Sequence, residues 1–143
     1  MLIVEGQELN RRPVKDKANG LEDRLVDFAV RIIAVVESLP DTKAGNHIAG
    51  QLVRSGTSPA PNYGEAQSAE SRNDFIHKMK VCLKELRETL VWLKIIVRKP
   101  LCPPDRLAPV IQENDELISI FVKSVKTAQT NKDSERRGVS RPD

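Results

Sequence analysis

Apolar residues fall at Leu21, Leu25, Phe28, Ile32, Val35 and Leu39, in steps of 4, 3, 4, 3 and 4. That rhythm keeps one side of a helix apolar along its whole length and suits packing nearly parallel to a neighbour. Pro40 has no N–H and disfavours helix at the residue before it, so this first helix is predicted to stop near Leu39.

Three more segments carry helical spacing, and no segment alternates with the period of two that marks a strand. The second helix starts after Asp41, a candidate N-cap, with Ile48 and Leu52 on its buried face. The run Ser55-Gly56-Thr57-Ser58-Pro59-Ala60-Pro61-Asn62 predicts a kink or break near Pro59–Pro61. The third helix covers roughly 72–98, with Ser71 as N-cap. It has two adjacent seams, Phe75-Met79-Cys82-Leu86-Leu93 and Ile76-Leu83-Leu90-Val97, so it should touch two neighbours. The fourth has the seam Leu107, Val110, Asn114, Leu117, Phe121, Val125, its regular part starting with Pro109 in the first turn. These elements predict an all-α, antiparallel up-down-up-down four-helix bundle over 21–128. Residues 1–20 and 129–143 show no sustained period and read as flexible tails. With 143 residues and 3% aromatics, one aliphatic core is the expectation.

Chemistry-bearing patterns are absent. No phosphate loop, dinucleotide fingerprint or nucleophile elbow occurs, and His47 and His77 lack any metal-ligand spacing. Cys82 sits on a core seam, while Cys102, in a Pro-rich loop, reads as exposed. The expectation is therefore no catalytic residue, no metal, no cofactor and no enzymatic activity. There is neither a secretory leader pattern nor an apolar run of the ~20 residues that span a bilayer, which points to a cytoplasmic chain with reduced thiols and no membrane partner.

Net charge is +3, but its distribution is uneven. Segment 68–99 holds eight basic residues against four acidic ones, whereas 21–39 holds two against four. The basic third helix makes Lys78, Lys80, Lys84 and Arg87 candidate contacts for RNA or DNA. On the same helix Val91, Trp92, Ile95 and Ile96 extend the apolar surface beyond what one bundle hides, and they are the candidate subunit interface.

Two motifs are familiar. Gln51-Leu52-Val53-Arg54-Ser55-Gly56-Thr57-Ser58-Pro59 followed by Asn62-Tyr63-Gly64-Glu65-Ala66, together with Lys84-Glu85-Leu86-Arg87-Glu88-Thr89-Leu90-Val91-Trp92-Leu93, resembles the four-helix-bundle proteins encoded in intervening sequences of bacterial large-subunit ribosomal RNA genes. The accessory proteins of diversity-generating retroelements are related to these. The likeness covers about residues 21–128, with Pro61 as a departure. It implies a ring-forming homo-oligomer, commonly a homopentamer, without established enzymatic activity. The retroelement relatives imply nucleic-acid binding through a basic surface.

The polar signature lands on Gln51, Arg54, Asn62, Glu65 and Glu85. The reading of those residues is structural, with Arg54 paired to a partly buried Glu65 or Glu85. The expected function is a non-catalytic oligomeric bundle that binds nucleic acid within a larger complex. The alternative is a structural or protein–protein interaction bundle with no nucleic-acid role.

Overall fold

The computed structural model describes residues 17–138, with side chains from residue 20. Five helical segments follow in order: α1 (Lys17–Glu37), α2 (Lys43–Thr57), α3 (Pro59–Gln67), α4 (Arg72–Arg98) and α5 (Pro104–Arg136). Only Ser58 separates α2 from α3, and its φ of −68° and ψ of −33° are helical, so the two form a single bent rod. The result is the expected all-α four-helix bundle with one bent helix.

The bend has a chemical origin. Pro59 and Pro61 donate no N–H, so the carbonyls of Ser55 and Thr57 lose their usual partners. Around this gap the hydroxyls bond back along the helix: Thr57 Oγ1 donates to Val53 O at 2.6 Å and Ser58 Oγ to Arg54 O at 2.6 Å. Such back-bonding bends helices.

Helix ends follow local chemistry, with two corrections. The N-cap of α2 is Thr42, whose Oγ1 accepts from Gly45 N at 3.0 Å; Asp41 instead accepts from Asn46 Nδ2. A β-carbon on Gly45 would collide with the carbonyl oxygen of Pro40, so only glycine lets the loop turn this tightly. Ser71 caps α4 as predicted, accepting from Asp74 N at 3.0 Å. The fourth rod begins at Pro104 rather than at Pro109, because a proline at the first position is already set for helix. It also runs on to Arg136, past the boundary expected at 128. Arg72 holds that extension with two bonds to Glu135, at 3.0 and 2.7 Å. At the other end α1 starts at Lys17, ahead of the boundary expected at Leu21. The remainder of both expected tails lies outside the described residues.

Around the bundle α1 packs on α2 and α3, these pack on α4, and α4 packs on α5. Between α5 and α1 the contact is thinner, and Arg24 bridges it with bonds to Glu113 at 3.0 and 2.7 Å and to Glu116 at 3.1 Å. Helices α1 and α4 lie diagonally across the bundle. One core contains Leu25, Phe28, Ile32, Met79, Leu86, Leu93, Leu117 and Phe121, all as predicted from the seams. Three polar residues are buried in it. The Thr89 hydroxyl lies 2.9 Å from Ser55 Oγ and 2.8 Å from Glu85 O, and Asn114 Nδ2 donates to Leu86 O at 3.1 Å.

Candidate functional site

The polar signature lines the join between the bent rod and α4. Asn62 Nδ2 donates to Glu85 Oε1 at 2.8 Å, and Lys78 Nζ reaches Glu65 at 3.4 Å. Arg54 does not pair with Glu65 or Glu85 as expected. It donates to Glu88 Oε2 at 2.8 Å and to Gln51 Oε1 at 3.1 Å. Antiparallel packing sets Asn62 beside Glu85, so a residue two turns earlier falls higher on α4, within reach of Glu88. Trp92 Nε1 also donates to Glu88, at 3.2 Å, and His47 meets the Trp92 ring edge-on at 5.9 Å. Nor is the Arg54 pair buried: the two side chains are 55% and 34% exposed. Arg54→Ala is therefore expected to cost no more than about 1 kcal/mol in a urea titration. A loss of several kcal/mol would show that the pair holds the fold.

Glu85 lies half-buried in this group. Burial raises its carboxyl above the ordinary value, opposed by the Asn62 hydrogen bond and the Arg54 charge. A carboxyl that binds its proton more tightly when folded favours folding most at low pH, and the advantage is lost as pH rises through the raised value. Glu85→Gln keeps an acceptor for Asn62. It should match the parent near pH 3.5 and exceed it in stability near pH 8, by urea midpoints at about those two values. A less stable variant at the higher pH would refute the assignment.

The thiols offer little reactivity. Burial and then the Glu85 carboxylate push the Cys82 thiol up to about 12, which suppresses the thiolate. Cys102, expected to be exposed, is buried, with Ser38 Oγ 3.5 Å from its sulfur. Among the described residues no cluster of three or more His, Cys, Asp or Glu could hold a metal ion.

The far side of α4 is different. Lys80, Lys84, Arg87, Val91, Lys94 and Arg98 recur in steps of 4, 3, 4, 3 and 4, and every one is exposed. They form one straight stripe, about 27 Å long at 1.5 Å per residue, on the side away from the core. None of its cations has a carboxylate within 4 Å among the described residues. Lys78 is not on it: half-buried on another side of α4, it pairs with Glu65 at 3.4 Å and Asp74 at 3.9 Å. Lys78 thus stands apart from Lys80, Lys84 and Arg87, which share the stripe with Lys94 and Arg98, and Lys126 of α5 lies beside Lys80 and Arg87 across the helix join. The signal for the stripe was the same step rule that found the core, applied to charge.

A model of the family described as 23S rRNA-intervening sequence protein matches residues 22–123. The chain belongs to that family. A crystal structure of a protein of unknown function from the S23 ribosomal protein family of Bacteroides thetaiotaomicron VPI-5482 has the same fold, with 32% identity and a TM-score of 0.71. The match covers 78% of this chain and 99% of that one. No curated protein matches the chain.

The family match spans the polar signature and the whole stripe, and ends before Lys126. Of the four residues expected at a subunit interface, Val91 and Ile95 are 56% and 39% exposed, and Trp92 is half-buried against Glu88. Ile96 is fully buried in this chain's own core and cannot face a neighbour, because α4 turns it toward the bundle axis. Sequence reading missed a second apolar stripe, Val26, Val30 and Ile33, exposed on the outer side of α1. Its steps of 4 and 3 were legible beside the core seam. Glu22, Asp27 and Glu37 are exposed on the same helix. No described helix is long and apolar enough to cross a membrane.

Proposed function

We propose that this family member is a non-catalytic, cytoplasmic homo-oligomer that binds RNA or DNA weakly along the outer face of α4. The observation that carries the reading is the exposed stripe of cations, none with a carboxylate partner among the described residues, of which Lys80, Lys84 and Arg87 stand on the lower half of α4. Such charges lose no internal ion pair when phosphates displace their counterions, and each phosphate contact adds to the salt dependence of binding. The chain's single Trp is engaged by Glu88, and no aromatic residue stands on the stripe, so contact is to the sugar–phosphate backbone and tolerant of sequence. The relation that the resemblance implies to retroelement accessory proteins, with their basic nucleic-acid-binding surface, supports the same reading.

Two apolar stripes on diagonal helices favour assembly. The acid-flanked stripe of α1 complements Val91, Ile95, Lys94 and Arg98 on the upper half of α4 of a second copy. Because the two surfaces differ, the contact is head-to-tail and closes as a ring, five-membered by resemblance. Five chains of +3 carry a total of +15. The lower half of α4, with Lys80, Lys84 and Arg87, remains for the polyanion.

The test is a Lys80→Ala/Lys84→Ala/Arg87→Ala variant titrated with ribosomal RNA fragments and with duplex DNA over a range of salt. Each lost phosphate contact should reduce the log–log salt slope by about 0.7–0.9, hence by about 2 to 3 for the triple variant, with mass by light scattering unchanged. A parent oligomer that ignores both polyanions at low salt would leave the protein-interaction reading in place.

A further inference from the structure

We infer that the groove between α4 and α5 is a docking site for an acidic amphipathic helix of a protein partner, in competition with nucleic acid. The groove is about 460 Å³ in volume, and Leu83, Val122 and Val125 supply its apolar lining. Lys80, Arg87 and Lys126 line it as well, and among the described residues no carboxylate lines it. Val122 is 36% exposed and the other two apolar residues are half-buried.

The mixed lining decides the occupant. Phosphates use the cations but leave the apolar floor wet, and the lining has no aromatic ring on which a base could stack. A helix with acidic flanks and an apolar centre satisfies both parts. Lys80 and Arg87 stand seven residues apart on one side of α4, about 10 Å along the axis. Two glutamates seven apart on a docked helix match that interval, and two leucines between them, at the third and fourth positions after the first glutamate, meet the floor. Lys126 takes a third carboxylate from the opposite wall. A second copy is the weaker occupant, because the acid-flanked stripe of α1 is already matched to the upper half of α4. Sharing Lys80 and Arg87 makes the acidic helix and the polyanion mutually exclusive on the lower half, so a partner that carries such a helix would release bound nucleic acid.

The probe is a fluorescein-labelled helical peptide with the pattern Glu-x-x-Leu-Leu-x-x-Glu, its analogue with lysines for the glutamates, and unlabelled poly(U), all against the full chain. The acidic peptide should bind and poly(U) should displace it, while the lysine analogue should not bind. Val122→Ser, an exposed change that leaves the core intact, should weaken the peptide at least tenfold and leave poly(U) binding and oligomer mass unchanged. Lys84→Ala should weaken poly(U) and spare the peptide. Equal binding of the two peptides, or an unchanged affinity in Val122→Ser, would overturn the proposal. A drop in oligomer mass in Val122→Ser would also overturn it, by assigning the groove to a second copy. Absence of poly(U) binding would defeat the nucleic-acid reading and with it the competition, while the peptide arms, measured without poly(U), still decide the docking site.

Discussion

Phe121→Ala should lower the unfolding free energy by about 3–5 kcal/mol at fixed protein concentration, because it removes a fully buried ring and leaves a cavity. Phe121 lies on α5 and meets Tyr63 of α3 in a T-shaped contact, with ring centroids 5.9 Å apart. The pair joins two rods across the core, just past the proline bend. Loss of the ring contact adds about 0.5–1.5 kcal/mol within that total. Val122→Ser, one residue away but exposed, is the control and should stay within about 0.5 kcal/mol. Urea unfolding followed by circular dichroism measures both. A Phe121 variant indistinguishable from the control would mean that α5 does not pack where the core places it.

Gly56→Val is expected to be strongly destabilising. A β-carbon at Gly56 would stand 2.7 and 2.8 Å from the two γ-carbons of Ile32, inside any real contact distance. Ile32 is fully buried and β-branched, so its γ-carbons cannot swing aside. Overpacking of this kind costs about 1–3 kcal/mol or more, and the gain from removing a helical glycine, under about 1 kcal/mol, does not offset it. Ile32→Ala should partly rescue the variant, so the double substitution should be less damaging than the sum of the single ones by at least about 1 kcal/mol. Strict additivity would show that α1 and α2 do not approach each other here.

The comparison of Gly56 with Arg54 shows what a sequence motif can and cannot convey. Both stand in the familiar run 51–59. Gly56 is needed because the buried Ile32 side chain leaves no room for a β-carbon. The partner of Arg54 was misassigned, because Glu65, Glu85 and Glu88 differ only in how two antiparallel rods are staggered, and stagger is not written in either rod alone. The ion pairing of Lys78 was hidden for a related reason. Its charge was visible, but its placement beside Glu65 depends on where the bent rod ends. Ile96 and Cys102 were read as surface residues from their flanking composition, whereas the turn of α4 and the fold-over of the following loop bury both.

Helix number, the bend and the core were determined by the sequence itself, since burial of an apolar face is a one-dimensional periodic signal and a missing N–H acts where it stands. The same periodicity, applied to lysine and arginine, already contained the α4 stripe. Whether those cations stay unpaired, and what shares a groove with them, depends on which carboxylates neighbouring rods bring within 4 Å. Only the packed bundle decided that, because ion pairs between rods depend on distances that no single helix contains.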